Sequence, residues 1–454
     1  MEPTSTASIK TARWFLAGLL AVNLYRAMTQ SVTPGEAWNY DRFIGPAWGE
    51  ALSRFDVNNH VLNTLLVRIS TTRFHLTELS LRLPSLLAGA FYLWAAFRLA
   101  RRWFGGGLEF LAVLGLLTLN PLVVDALSEA RGYGMALACW MWALELMLAS
   151  IQSFSQRKLN LSAICLGLSI SASLAFAAPA CALLAVFLLW RRGAEPLPRQ
   201  TLAMPQLLFL TVFLLLVIPV NHAEWKTLGI GATSLRQSIN EITSLSLGTS
   251  LKVIGGIARV AVAVTAVAGL CAAVLHWRRR DGELLALTGA TLPFTLVLVL
   301  AVHRWPHIPF PQEGVIYLIP MSVLVVSSII FKQRNKAAHV GFLILSLVLL
   351  GRYAAEFPFG MYRAGATVSG GRELAKTLRQ RARQDIVRIG ASLDAEPIVN
   401  YYRRRYRQAN WQPVERGPLT GAYDYYVLTP ADAALIEERH LHVLYRDQGL
   451  TLAQ

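Results

Sequence analysis

"LSAICLGLSISASLAFAAPACALLAVFLLW", residues 161–190, is a thirty-residue apolar run without a single charge. One helix crosses the hydrocarbon core of a bilayer in about 20 residues, so the run is too long for one crossing. Proline is a natural first residue for a new helix, and Pro179 divides the run at Ala177–Pro179 into spans 159–175 and 178–190. Further apolar runs lie on both sides, at 13–29, 81–100, 108–126, 132–151, 203–220, 251–276, 284–302, 314–331 and 337–353. With the run split, the chain reads as eleven transmembrane helices.

Composition agrees with this reading. The 454 residues are 54% hydrophobic and 15% charged, against roughly 25% charged in a soluble chain. Mean hydropathy is +0.43. The net charge of +16 does not point to nucleic acid, because the basic residues fall in short clusters between apolar runs. The clusters are "RRWF" at 101, "SQRK" at 155, "RRGAEPLPR" at 191, "WRRRD" at 277 and "KQRNK" at 332. With a cytoplasmic N-terminus, eleven spans put all of them inside, whereas ten would expose the last two. Cys139, Cys165, Cys181 and Cys271 all fall within apolar runs and read as small core residues, with no disulfide framework and no zinc site. The N-terminal run has no small-residue cleavage site after it and reads as a retained span.

This topology places 30–80, 221–249, 303–313 and everything after 354 outside the cytoplasm. Loop 30–80 is too rich in apolar and aromatic residues for disorder and reads as amphipathic helices along the outer surface. From about 363 the pattern changes. "SGGRELAKTLRQRARQ", "EPIVNYYRRRYRQ" and "PADAALIEERH" read as helices, while "IVRIGAS", "YDYYVLT" and "LHVLYRD" read as strands. The predicted organisation is a membrane domain, 1–362, that includes loop 30–80, and a small α/β domain, 363–454.

Candidate chemistry lies in the outer segments. "TPGEAWNYDRF", 33–43, carries Glu36 and Asp41 among aromatics, and "FDVNNH" adds Asn58, Asn59 and His60. A carboxylate at the membrane edge can take a proton from a hydroxyl, while rings and amides suit a sugar. The bland alternative is a solvated loop with an aromatic interface belt. "LSEARGYG", 127–134, offers Glu129, Arg131 and Tyr133 at a hairpin where a phosphate could be gripped, or where a simple interface salt bridge could form. "HRWPHIPFPQEGVIYLIP" brings His303, Arg304, His307 and Glu313 to the same side, and its prolines speak against His303 and His307 forming a helical metal pair. "YYRRRYR", 401–407, could hold anionic headgroups or be a solvated basic face.

The stretches "TPGEAWNYDRF", "NNHVLNTLLVRIS", "LSLRLPSLLAG" and "SEARGYGMAL", in this order, with "YLIPMSVLV" later, resemble the C-type membrane glycosyltransferases. Within them the chain is most similar to the bacterial branch of protein O-mannosyltransferases and lipid A aminoarabinose transferases. The resemblance implies an inverting hexosyl- or pentosyltransferase of the bacterial inner membrane. It would use a polyprenyl-phosphate-linked sugar donor, a lipid, glycan or protein acceptor outside the cytoplasm, and surrounding membrane lipids. It also implies that an acid of the first outer loop works at the active site, Arg82, Glu129 and Arg131 on the substrate side with Tyr133, and Asn59 and His60 at the sugar or acceptor. His303 and Arg304 would contribute from the later loop.

Two positions depart from the family pattern. The usual Asp-Glu pair is Gly35-Glu36 here, so Glu36 is the expected base and Asp41 the second candidate. An arginine that often precedes "YLIP" is replaced by Gln312-Glu313. No cofactor is required, and a divalent metal is left open. The competing readings are a transporter or flippase of lipid-linked sugar, against which the absence of internal repeats speaks, and a catalytically inactive sugar-lipid-binding relative.

Overall fold

The computed structural model describes residues 3–47, 49, 59–192, 199–217, 231–249, 252–279, 281–304, 309–333, 335–357, 359–360, 362–363, 368–383, 385–447 and 449–454. Helix covers most of each of the eleven predicted intervals where it is described. Among the described residues, seven helices are long and apolar enough to cross a membrane: Glu78–Phe104, Tyr133–Gln152, Leu174–Arg191, Lys252–Arg279, Glu283–Arg304, Glu313–Lys332 and Lys336–Ala355. The protein is a multi-pass membrane protein.

The junctions follow from local chemistry. The run 161–190 does break: helix Gln156–Ala172 ends, Leu174–Phe176 makes a single tight turn, and a new helix starts at Ala177. The interval 108–126 also divides, into Leu108–Thr118 and Pro121–Ala126. Pro121 has no N–H to continue the first helix, and the Asn120 side chain accepts from the Leu122 and Val123 amides to start the second. Helix Tyr133–Gln152 packs on Glu78–Phe104 and Gln156–Ala172 at the centre of the bundle. Its Glu145 is fully buried and meets Arg98 and Arg102, each at 2.9 Å, so this intramembrane acid is anchored by cations from the neighbouring helix.

The first long loop folds as expected into helical pieces: Pro34–Asn39, a π-turn Tyr40–Ile44, and Val61–Phe74. The C-terminal region forms helices Gly371–Arg381 and Glu396–Arg405 beside a four-stranded sheet. The strands are β1 (Ile389–Ala391), β2 (Tyr425–Leu428), β3 (Val443–Arg446) and β4 (Thr451–Ala453), in the order β1-β2-β4-β3. β1 runs parallel to β2, and β4 pairs antiparallel with both β2 and β3. β4 is missed by pattern reading because "TLA" is too short to show alternation, yet it bridges the sheet.

Two cores result. One runs through the bundle and includes Tyr92, Trp140 and Tyr317. The other joins Val32, Ala37, Val67 and Leu81 of the first loop and its flanks to Leu374, Ile398, Tyr401 and Trp411 of the C-terminal domain. Ion pairs reinforce that joint. Glu78 accepts from Arg372 Nε at 2.8 Å and Tyr402 Oη at 3.0 Å and also pairs with Arg405, while Arg404 meets Asp41 at 2.6 Å. The "YYRRRYR" helix thus turns two of its arginines, Arg404 and Arg405, onto acids of the first loop.

Candidate active site

The site grows from the helix opened by "TPGE". Thr33 is its N-cap and Pro34 sits at the first turn, where a missing N–H costs nothing. Thr33 Oγ1 accepts from the Glu36 amide at 3.2 Å, and Glu36 Oε2 accepts from the Thr33 amide at 3.0 Å, a reciprocal capping box. The same carboxylate accepts from Arg82 Nε (2.8 Å) and the Ala130 amide (2.9 Å) at Oε1, and from Arg82 Nη2 (2.6 Å) at Oε2. Both side chains are completely buried. Burial opposes the charge on Glu36, but the adjacent Arg82 and the two amides outweigh it and hold the carboxyl below its ordinary range. Arg82 gives its other donors to the carbonyls of Ala27, Gln30 and Ser31, and Tyr362 lies over its guanidinium with 4.6 Å from Cζ to ring centroid. The expected base thus has four donors on its two oxygens, and the expected substrate contact Arg82 has spent its guanidinium on the protein.

Arg131 stands in a different setting. Its side chain is 22% exposed, it forms an ion pair through Nη1 with Glu313, and it lies 4.0 Å from Glu129. Among the described residues, Nη1 is its one hydrogen-bonding nitrogen. The Tyr133 ring centroid lies 5.2 Å from Cζ. Gly35 packs against the guanidinium: a Cβ there would come 2.9 Å from Nε and 3.3 Å from Cζ. The expected family aspartate would therefore project into the volume Arg131 occupies. Gly132 allows the turn that presents Arg131, with φ +80 and no room for a side chain against the Ala172 carbonyl and His60.

Glu129, buried, accepts from Thr33 Oγ1 at 2.8 Å. Burial pushes its carboxyl up to about 8, against the pull of Arg131 and with further upward pressure from Glu36 and Glu313. Glu241, on helix Leu235–Leu247, feels the same field: burial first, then Glu313, raise it, while Arg131 lowers it. His60 caps helix Val61–Phe74 and packs edge-on to Tyr133 at 5.1 Å. Burial, then the charge of Arg131, lower it to about 3, so its ring is neutral and fits a sugar-facing or packing role better than an anion-binding one. Its Nδ1 is buried without a hydrogen-bond partner among the described residues.

The remaining expected residues scatter. Asn59 accepts from Thr64 Oγ1 at 3.1 Å beside His60, and Asn58 lies outside the described residues. Asp41 is held by Arg404 at the joint with the C-terminal domain. His303 lies on the Phe310 ring at 3.9 Å, and Arg304 is exposed at the end of helix Glu283–Arg304. Among the described residues no group of three or more His, Cys, Asp and Glu is arranged to hold a metal. The sequence places Glu313 on the same outer side but gives no sign of its pairing with Arg131, and Thr33 is a member of the cluster that pattern reading does not single out. Thr33 was legible, because "TPGE" is a capping-box signature, whereas the Glu313 contact spans 182 residues and has no local signal.

Comparison with known proteins agrees with this architecture. Residues 61–222 match the family model of dolichyl-phosphate-mannose-protein mannosyltransferase. ArnT from Cupriavidus metallidurans bound to undecaprenyl phosphate is similar over 97% of each chain, with TM-score 0.50 and 14% identity. The apo state of the same protein gives TM-score 0.47 and 14% identity over 98% of each chain. The Archaeoglobus fulgidus oligosaccharyltransferase in complex with Zn and sulfate gives 0.46 and 11%, over 98% of this chain and 72% of that one. No curated protein matches the chain. At 14% identity, what the chain shares with the undecaprenyl-phosphate-bound ArnT structure is the fold.

Proposed function

We propose that this chain, built on the C-type membrane glycosyltransferase fold, moves a sugar from a polyprenyl-phosphate carrier to a lipid, glycan or protein acceptor. The observation that carries the reading is Arg131. It is a cation bonded through Nη1 alone among the described residues, partly open to solvent, set where the first loop, the 127–132 hairpin and the 313–317 turn meet. A planar guanidinium with free N–H groups suits phosphate oxygens.

In this mechanism Arg131 binds the lipid phosphate and stabilises the charge that develops as the bond from anomeric carbon to phosphate oxygen breaks. The acceptor oxygen attacks from the opposite face, so the configuration inverts, and a carboxylate takes its proton. Glu36, with all its acceptor positions filled, serves to fix the Thr33 cap, Arg82 and the Ala130 amide, and so the hairpin that carries Glu129 and Arg131. Asp41 serves the joint with the C-terminal domain. Glu129, buried with its carboxyl pushed up to about 8, enters neutral and so does not itself compete with an anion for Arg131. We place the site, loop 30–80 and the domain 363–454 on the extracytoplasmic side of a bacterial inner membrane, with eleven spans and a cytoplasmic N-terminus. The charge clusters described above support this orientation.

The test uses purified full-length protein in lipid nanodiscs with undecaprenyl-phosphate pentoses and hexoses and a bacterial lipid extract as acceptor. Release of undecaprenyl phosphate with new glycolipid is the expected result. Absence of both binding and turnover for every polyprenyl-phosphate sugar sinks the reading.

A further inference from the structure

The carboxylates around Arg131 are not equivalent. Glu36 is sealed by four donors and has no exposed surface. Glu129 has a side chain 5% exposed and is tied to Thr33. Glu241 belongs to a separate helix and touches the cluster through its field rather than through a recorded bond. Glu313 makes the short ion pair with Arg131, whereas Glu129 stands at 4.0 Å, and the Glu313 side chain keeps 13% exposure. Only one of its oxygens, Oε2, has a recorded partner among the described residues. It is the first residue of a short turn, Glu313–Tyr317, whose residues Val315, Ile316 and Tyr317 are buried, so the backbone is anchored while the Glu313 side chain stays partly exposed.

We propose that Glu313 is the proton-accepting carboxylate of the transfer reaction, and that it is held on Arg131 until donor phosphate displaces it. The inference rests on the transferase reading above. Arg131 with Glu313 attached is already neutralised, so a second anion on the same guanidinium competes with the first. Glu129 cannot step aside, because it is buried and bonded to Thr33. Glu313 can. Once the donor phosphate holds Arg131, the carboxylate of Glu313 loses its counter-ion beside the reacting centre. It then takes the proton from the acceptor hydroxyl as the acceptor oxygen bonds to the anomeric carbon. The carbon–oxygen bond to phosphate breaks with its electron pair on the phosphate, which stays on Arg131 as polyprenyl phosphate. Base and phosphate grip are thus one ion pair, opened by the donor, and an acceptor hydroxyl meets an active base only when donor is present.

The test compares wild type with Glu313→Gln in nanodiscs. Undecaprenyl phosphate alone is the binding probe, and an undecaprenyl-phosphate sugar that turns over in wild type is the kinetic probe. Glu313→Gln is expected to bind undecaprenyl phosphate at least about fivefold tighter, the low end of ordinary coupling between sites. Its kcat should fall by about 10²–10⁴, the range of general-base catalysis, without a rise in KM. Tighter binding also shows that the variant is folded. A fall in kcat of less than about tenfold, or binding that is unchanged or weaker, overturns the inference while leaving the transferase reading standing. Wild type that fails to bind the lipid phosphate removes that reading and this inference with it.

Discussion

Two arginines less than fifty positions apart in sequence face the same cap helix and have opposite fates. Arg82 is buried, gives two bonds to Glu36 and spreads the rest over three backbone carbonyls. Arg131 is one hairpin away, partly exposed, bonded through a single nitrogen, and backed by a glycine. A guanidinium whose donors are all used has nothing left for a ligand and can only shape the protein. One with unspent donors at an opening is a place where an anion gains more than water gives it. The same contrast separates Glu36 from Glu313. Charge alone does not make a site; unsatisfied charge that the fold keeps reachable does.

The largest effect expected from breaking this comparison is on the saturated side. Arg82→Ala leaves Glu36 as an unpaired buried carboxylate, a change that costs about 3–5 kcal/mol. Thermal unfolding of the detergent-purified protein should show a large fall in Tm or loss of expression. Glu36→Gln should act in the same direction, and its loss of activity should follow its loss of folded protein. Activity lost at full stability would instead return Glu36 to the chemistry.

Next in size is Arg131→Ala. One charged hydrogen bond is worth roughly 1.5–3 kcal/mol, so undecaprenyl phosphate binding should weaken by about ten- to a hundredfold. Tm should change by far less than for Arg82→Ala. If the two variants were equally destabilised, Arg131 would be a scaffold residue like Arg82.

Smaller, and specific in sign, is the effect of Glu129. Its carboxyl is raised from the ordinary 4.5 to about 8, so between those values the folded state holds a proton that the unfolded chain has lost. This contribution is fully present below about 4.5 and is lost as pH rises through about 8. Glu129→Gln cannot ionise and keeps the neutral form. It should match wild type near pH 5 and exceed it near pH 9 by roughly 2–4 °C, the scale of about 1 kcal/mol in a larger domain. Equal Tm differences at both pH values would show that Glu129 stays ionised in the fold.

These side chains were unequally legible in the sequence. The spans were, because apolar runs between basic clusters leave few topologies. So was the C-terminal domain, apart from β4, whose three residues carry no period. Glu36, Arg82, Glu129 and Arg131 could be named from their loops, but not their partners. Glu36 and Arg82 are 46 residues apart, and Arg131 and Glu313 are 182 apart. Whether an acid is a clamp or a base depends on how many donors reach it, and that is a property of packing. Even so, "TPGE" has the spacing of a capping box, a local signal for a structural part in Glu36, and two arginines of the basic "YYRRRYR" helix had countercharges in the first loop that only the fold could match.

Gly35 is the position where the comparison can be made sharpest at the smallest cost in stability. It lies beside Glu36 in sequence and against Arg131 in space, so it joins the saturated half of the site to the open half. A methyl at this position would sit 2.9 Å from Arg131 Nε and 3.2 Å from its Cδ, closer than real contacts allow. The backbone there is helical, so alanine itself is not strained, and the atoms in the way belong to a side chain that can move. Gly35→Ala should therefore cost less than about 1 kcal/mol in Tm, with helix propensity offsetting part of the clash. It should nevertheless push Arg131 off its present line to Glu313 and weaken undecaprenyl phosphate binding severalfold. Gly35→Asp adds a carboxylate against the same guanidinium and should weaken binding further, because another anion then competes for Arg131. If either variant bound the lipid phosphate as wild type does, the space that Gly35 leaves would have no bearing on the phosphate grip, and Arg131 would have to work from some other orientation.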